Sequence, residues 1–128
     1  MSDETNLTIT SDQDLVLPSM QIIMKAGDGR KLVFAAGDAM AEGDYQRADQ
    51  LISQGQTELR EAHRVHTDCI QAAAVNAIPY SLLFTHAEDT LMTANSELRL
   101  MKKLCTVFAT LNSRLAAVEA HIGKEASV

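Results

Sequence analysis

Residues 45–73, YQRADQLISQGQTELREAHRVHTDCIQAA, carry the clearest structural pattern in the chain. Apolar or small side chains recur there at alternating steps of three and four residues, at Tyr45, Ala48, Ile52, Gly55, Leu59, Ala62, His66, Cys69 and Ala73. This heptad spacing places one face of an α-helix against another helix, as in a bundle or a coiled coil. Because most residues of this face are small, we expect a neighbouring helix to approach it closely.

Two further helices are predicted around this segment. The first begins at residues 15–18, where Pro18 suits a first turn, and runs toward Ala41. Gly43 is then a helix stop and Asp44 an N-cap for the second helix. Glycines at positions 27, 29 and 37 indicate either close helix packing or a kink in the first helix, and we favour close packing.

The third helix is predicted to begin near Pro79 and to end at Gly123. Its heptad seam comprises Met101, Leu104, Phe108, Leu111, Leu115, Val118 and Ile122. Extended backward, the seam passes through Ala94, Thr90, Ala87 and Leu83, which places His86 and Asp89 beside the packing line. No alternating strand pattern competes, so the predicted fold is all-α, an antiparallel three-helix bundle.

The third helix is longer than one bundle of this kind can cover. From residue 80 to residue 122 it would reach roughly 60 Å. Its last heptads then expose apolar side chains unless another chain covers them, which predicts an oligomer. The domain is expected at residues 15–123, between a flexible tail at 1–14 and a short tail at 124–128.

Composition narrows the class of protein. The chain has 128 residues, about the size of one domain, with a net charge of -6 and no cluster of basic residues. Nucleic acid and anionic membrane surfaces are therefore disfavoured as partners. No segment approaches the ~20 apolar residues of a membrane span, and no signal peptide is visible, so we expect a cytoplasmic location. Cys69 and Cys105 lie far apart, and a disulfide between them is not expected.

Residues 85–93, THAEDTLMT, place a polar strip within the apolar pattern of the third helix. Residues three and four apart share a helix face, so His86 and Asp89 project together with Thr90 or Thr93. A histidine titrates near neutral pH and can act as a nucleophile or a proton carrier. The alternative is an ordinary histidine on the flank of a helix, satisfied by a neighbour, with Asp89 only solvating that face.

Two other groups are weaker candidates. His63, His66 and Cys69 have helical spacing, but four metal ligands with a supporting shell are not visible, so His66 is better interpreted as a core or interface histidine. Residues 27–30, GDGR, match neither a Walker A motif nor a dinucleotide fingerprint.

Residues 86–92, HAEDTLM, resemble the His-Ala-Gln-Asp-His-Leu-Met stretch of the lactose/cellobiose class of enzyme IIA, from the bacterial sugar phosphotransferase system. The likeness extends over roughly residues 18–108. Residues 20–30 resemble the first helix of the family, residues 42–45 (EGDY) its Gly-Asp-Phe turn, and residues 61–67 (EAHRVHT) its Glu-Ala-His-x-x-Gln-Thr stretch.

This resemblance implies a phosphoryl relay. His86 would accept a phosphoryl group from the phosphocarrier HPr and pass it to a cysteine of the cognate enzyme IIB, which serves a membrane enzyme IIC for a disaccharide of the lactose, cellobiose or chitobiose class. It also implies a homotrimer, a nine-helix assembly, with Asp89 binding a metal ion at the trimer axis. Three carboxylates brought together require a cation or a proton, and oxygen ligands suit Mg²⁺ or a similar divalent cation.

The chain departs from the family pattern at the site. Glu88 and Thr90 stand where the family has Gln and His, and His66 replaces a Gln of the second helix. We expect Glu88 to oppose phosphoryl transfer unless it points away or is neutralised. Three other hypotheses remain: a regulatory relative that senses the state of the phosphotransferase system, a two-component phosphotransfer domain, disfavoured because its usual Lys-Gly after the histidine is absent, and a purely structural helical oligomer.

Overall fold

The computed structural model describes residues 8–127, and these form three helices and no strand. Helix α1 spans Val16–Ala41, α2 spans Tyr45–Val75 and α3 spans Leu82–Ala126, and a short 3-10 turn at Asp12–Leu15 precedes them. The helices pack against one another as an up-down-up bundle, as predicted. None of the described helices is long and apolar enough to cross a membrane.

The turn between α1 and α2 follows the predicted signals. Gly43 adopts φ +79, the left-handed region that only glycine enters without cost. The carboxylate of Asp44 then accepts a hydrogen bond from the backbone N–H of Arg47 at 3.0 Å, which caps α2. Both predictions for this turn are confirmed.

Glycines bring α1 and α2 into close contact. A Cβ atom added at Gly29 would lie 2.9 Å from the side chain of Leu59, and one added at Gly55 would lie 3.2 Å from the backbone oxygen of Gly29. Larger residues would force the two backbones apart. Close packing is therefore confirmed for Gly29 of the first helix. A Cβ at Gly37 would lie 3.3 Å from the side chain of Met101, while the space around Gly27 is open.

The bounds of α3 differ from the prediction at both ends. The helix begins after Ser81, whose hydroxyl accepts a hydrogen bond from the backbone N–H of Phe84 at 3.2 Å. Pro79 lies before this cap, in the connection, because the serine offers the side-chain acceptor that the first turn needs. At the other end the helix passes Gly123 and continues to Ala126, so the predicted C-terminal tail is helical over 124–126.

Part of the predicted N-terminal tail is folded. Ile9 is buried, with 2% of its surface exposed, and its backbone oxygen accepts a hydrogen bond from the side-chain amide of Asn76 at 2.7 Å. Hydrogen bonds from the backbone N–H groups of Thr10 and Ser11 lower the pKa of Asp14. Ile9 therefore packs at the end of α2. Residues 1–7 lie outside the described residues.

The buried face of α3 is displaced from the extrapolated seam. Its buried side chains are Phe84, Ala87, Leu91, Ala94, Leu98 and Cys105. Ala87 and Ala94 were predicted correctly, but Leu91 and Phe84 take the places expected for Thr90 and Leu83. Phe84, Leu91, Leu98 and Cys105 keep a seven-residue spacing, and this line lies one residue beyond the extrapolated one along its whole length. The seam was read partly from residues beyond 109, which are exposed and do not face the bundle.

Beyond residue 109, every side chain of α3 is exposed through residue 127. Its apolar residues there include Leu111, Leu115, Val118 and Ile122, each with half or more of its surface exposed. The predicted exposure of the last heptads is therefore confirmed for a single chain.

Candidate functional site

His86 lies on the first turns of α3 with its side chain exposed. Within residues 8–127 its ring makes no hydrogen bond and no ion pair. Its backbone oxygen accepts a hydrogen bond from the hydroxyl of Thr90 at 2.8 Å. The imidazole is thus free to meet another molecule.

Asp89 is exposed one turn further along the same helix, and its carboxylate makes no contact of this kind within the described part of the chain. Thr93 follows, also exposed. Thr90 does not add its hydroxyl to this strip, because that hydroxyl is bonded to the backbone of His86. The predicted strip is therefore present as His86, Asp89 and Thr93.

Glu88 turns away from this strip toward α2. One of its carboxylate oxygens lies 2.8 Å from Nε2 of His66, and the two side chains are 30% and 14% exposed. The ring of His66 also stacks on Phe84, with ring centroids 5.6 Å apart and planes 10° from parallel. The carboxylate expected to oppose phosphoryl transfer is thus engaged by His66, and sequence spacing did not predict this pairing.

The α2 group of His63, His66 and Cys69 does not form a metal site. Among residues 8–127, no group of three or more His, Cys, Asp or Glu side chains is placed to hold an ion. His66 instead pairs with Glu88, and His63 lies beside it with ring centroids 6.0 Å apart. Burial, with a smaller effect of Asp68, raises the pKa of Cys69 to about 11, so its thiol stays protonated.

The two cysteines are free and buried. The GDGR segment lies inside α1, and it is not a loop that cradles phosphate. Arg30 uses Nε and a terminal nitrogen to donate two 2.8 Å hydrogen bonds to the carboxylate of Glu97. These hydrogen bonds and the charge of Glu97 raise the pKa of Arg30.

A groove of about 870 Å³ opens between α2 and α3, and it was not predicted from the sequence. Its lining surface is largely apolar, but most of its lining residues are polar or basic, among them Arg60, His63, Arg99, Lys102 and Lys103. The signal was available, since positions 99, 102 and 103 share a helix face at helical spacing. That these residues of α3 face residues of α2 across a groove could not be predicted without the fold.

Comparison with known proteins is consistent with the resemblance in the sequence. The family model described as PTS system, Lactose/Cellobiose specific IIA subunit matches residues 18–109. The PTS system oligo-beta-mannoside-specific EIIA component of Bacillus subtilis is 32% identical over 111 residues, which cover 86% of this chain and 98% of that protein. The lactose-specific EIIA component of Staphylococcus aureus is 36% identical over 93 residues, 72% of this chain and 90% of that protein.

Solved structures agree with this similarity. The chain superposes on the IIA(Chitobiose) subunit in the solution structures of its complex with HPr, from Escherichia coli, with a TM-score of 0.70 and 30% identity. The match covers 77% of this chain and 96% of that one.

Proposed function

Because this chain belongs to the lactose/cellobiose-specific IIA family of the phosphotransferase system, we propose that it relays phosphoryl groups through His86 during sugar uptake. The observation that carries the proposal is the exposed imidazole of His86, which has no bonding partner within residues 8–127. It lies at the position that matches the histidine of the family motif.

The proposed step exchanges one N–P bond for another. A ring nitrogen of neutral His86 attacks the phosphorus of phosphohistidine on HPr, and the bond to the donor nitrogen breaks as the new bond forms. The second transfer moves the group to a cysteine thiolate of enzyme IIB. Neither step needs a nucleotide, since catalysis in a loose phosphoryl transition state rests on positioning and charge stabilisation.

The surroundings of His86 support this chemistry. The carboxylate of Glu88 is turned to His66 and does not face the exposed strip. The groove between α2 and α3 carries several basic side chains, although the chain as a whole has a net charge of -6. Such a groove favours the approach of a phosphorylated, anionic partner surface.

We propose that three copies assemble through the exposed face of α3. Asp89, Leu100, Leu111 and Ile122 are spaced by eleven residues, which is three helical turns, and so follow one line along the helix. Leu100, Leu111 and Ile122 are 61%, 50% and 58% exposed in the single chain. Parallel copies joined on this line would bury it and bring the three Asp89 carboxylates together.

Asp89 fits a shared cation site of that kind. Its carboxylate is exposed and unpaired within the described residues, and one chain alone offers no set of ligands. Three carboxylates around one axis would hold Mg²⁺ or a similar hard divalent cation, which neutralises their mutual repulsion. The proposed partners are therefore HPr, an enzyme IIB with its membrane enzyme IIC for a β-linked disaccharide, and two further copies of this chain.

The relay is tested by phosphorylation in a reconstituted system. Phosphoenolpyruvate, enzyme I and HPr are incubated with the wild-type chain and with His86→Ala, and intact masses are measured. We expect a gain of one phosphate in the wild type and none in His86→Ala. His121→Ala, which removes another exposed histidine on α3 outside the groove, serves as the control and should still be labelled.

The second candidate is a helical trimer that no longer relays phosphate. One observation favours it: the hydroxyl of Thr90, where the family has a histidine, is bonded to the backbone and offers no proton carrier beside His86. The same assay separates the two candidates. A folded, trimeric wild-type chain that takes up no phosphate rejects the relay and leaves the regulatory or structural role.

A further inference from the structure

We propose that the His66–Glu88 pair is a positioning device, which holds the turn of α3 that carries His86 against α2. This inference deepens the proposed function and rests on it for its catalytic consequence. His66 and Glu88 are positioning residues, because neither is placed to touch the phosphoryl group.

The geometry of the turn carries the inference. Phe84 and Glu88 are four residues apart, one turn of α3, and His86 lies midway between them. The ring of His66 contacts both, by stacking on Phe84 and by its 2.8 Å contact with the carboxylate of Glu88. One side chain of α2 therefore contacts both ends of the turn that carries His86.

No other polar side-chain contact joins these two helices in the described part of the chain. The remaining interhelical ion pairs connect α1 with α2, through Lys25 and Glu58, or α1 with α3, through Arg30 and Glu97. Further along, the groove of about 870 Å³ opens between α2 and α3. The pair thus joins α2 and α3 beside the turn that carries His86. The groove opens between the two helices farther along α3, from Met92 onward.

The pair is also sheltered enough for its hydrogen bond to be specific. The side chain of His66 is 14% exposed and that of Glu88 is 30% exposed, so water competes only weakly on the histidine side. Nε2 of His66 donates to the carboxylate in the neutral tautomer with a proton on Nε2 and in the protonated ring alike. Removing either partner leaves the other half-buried and unsatisfied, and the turn loses its anchor.

A loosened turn should slow phosphoryl transfer to His86 without weakening the binding of phospho-HPr. A displacement of about 1 Å in a reacting group can cost on the order of a hundredfold in rate. We therefore expect His66→Ala and Glu88→Ala each to lower the single-turnover rate of phosphorylation of His86 by tenfold or more. The concentration of phospho-HPr that gives half-maximal rate should stay within about twofold, because the exposed strip itself is unchanged.

Coupling and rescue distinguish this role from general destabilisation. The double variant His66→Ala with Glu88→Ala should be no slower than either single variant, because the two act as a unit. The combination His66→Gln with Glu88→Gln restores a side-chain hydrogen bond across the same gap and should return the rate to within about threefold of wild type. Glu97→Ala is the matched control, since Glu97 also lies on α3, pairs with another helix at 2.8 Å and is 27% exposed.

Amide hydrogen exchange decides the structural part independently of phosphorylation. Exchange at residues 84–90 should accelerate at least tenfold in Glu88→Ala and His66→Ala but not in Glu97→Ala. Unchanged exchange in both variants overturns the inference, as does faster exchange with an unchanged transfer rate. A wild-type chain that takes up no phosphate rejects the proposed function instead, and the exchange measurement then decides alone whether the pair holds the turn.

Discussion

At the residue scale, the hydroxyl of Ser19 is buried without a partner. Its side chain is fully buried in α1, and Oγ has no hydrogen-bond partner among the described residues. An unsatisfied buried hydroxyl costs about 1–3 kcal/mol. Ser19→Ala removes this cost with little loss of volume, so we expect the free energy of unfolding to rise by about 1–2 kcal/mol.

Urea unfolding at one fixed protein concentration measures this gain. Ser53→Ala, on the exposed face of α2, is the control because it changes only helix propensity, worth about 0.5 kcal/mol. Ser19→Ala should exceed it clearly. Equal gains in the two variants would show that the Ser19 hydroxyl carries no penalty.

Single residues also show what the sequence allowed us to predict about the site. His86 and Asp89 share an exposed face because they are three residues apart on one helix, and helical spacing alone establishes that. The direction of Glu88 depends on His66, which lies 22 residues earlier and on another helix. No local pattern contains that contact, so the pairing emerged only when the fold brought α2 and α3 together.

At the scale of elements, two glycines of the α1–α2 pair should respond in opposite ways to the same change. Gly27→Ala meets no atom within 4 Å and should stabilise the fold by about 1 kcal/mol through helix propensity. Gly55→Ala would place its Cβ 3.2 Å from the backbone oxygen of Gly29, which cannot rotate away. We expect Gly55→Ala to destabilise the fold by about 1–3 kcal/mol.

Thermal and urea unfolding of the two variants side by side test this expectation. The comparison is sharp because both substitutions are identical and both lie in helix interiors. A stabilising Gly55→Ala would mean that α1 and α2 do not approach as closely as the structure has them.

The elements were predictable where the pattern was local and less so where it was extrapolated. The helix types, the Gly43 stop and the Asp44 cap follow from adjacent residues, and they agree with the structure. The buried face of α3 was inferred from its far end, where a different set of side chains faces outward. The line that faces the bundle lies one residue beyond the extrapolated line from Phe84 to Cys105, which is why Leu91, and not Thr90, is buried.

At the scale of the whole molecule, the exposed part of α3 predicts how copies associate. Leu115 is 56% exposed and lies close to the line of Leu111 and Ile122 on the helix beyond the bundle. Ala116 lies about 140° around the helix from Leu111, and so away from that line. Leu115→Lys places a charge where copies would meet, so we expect the trimer dissociation constant to rise at least tenfold. Ala116→Lys should leave it unchanged.

Sedimentation equilibrium over a range of concentrations measures both variants. Both variants should keep the helical content of the wild type, since lysine is a good helix former at exposed positions. Identical association of Leu115→Lys and Ala116→Lys would rule out the face of α3 beyond residue 109 as a contact between copies.

The length of α3 separates its two ends by a large distance. Ala126 lies 40 residues after His86 on one continuous helix, about 60 Å at 1.5 Å per residue. A domain fused after residue 128 would therefore hang far from the histidine and leave the approach of HPr open. In the proposed trimer three such cargoes would emerge side by side, so that even a weakly binding cargo would gain avidity from its two neighbours.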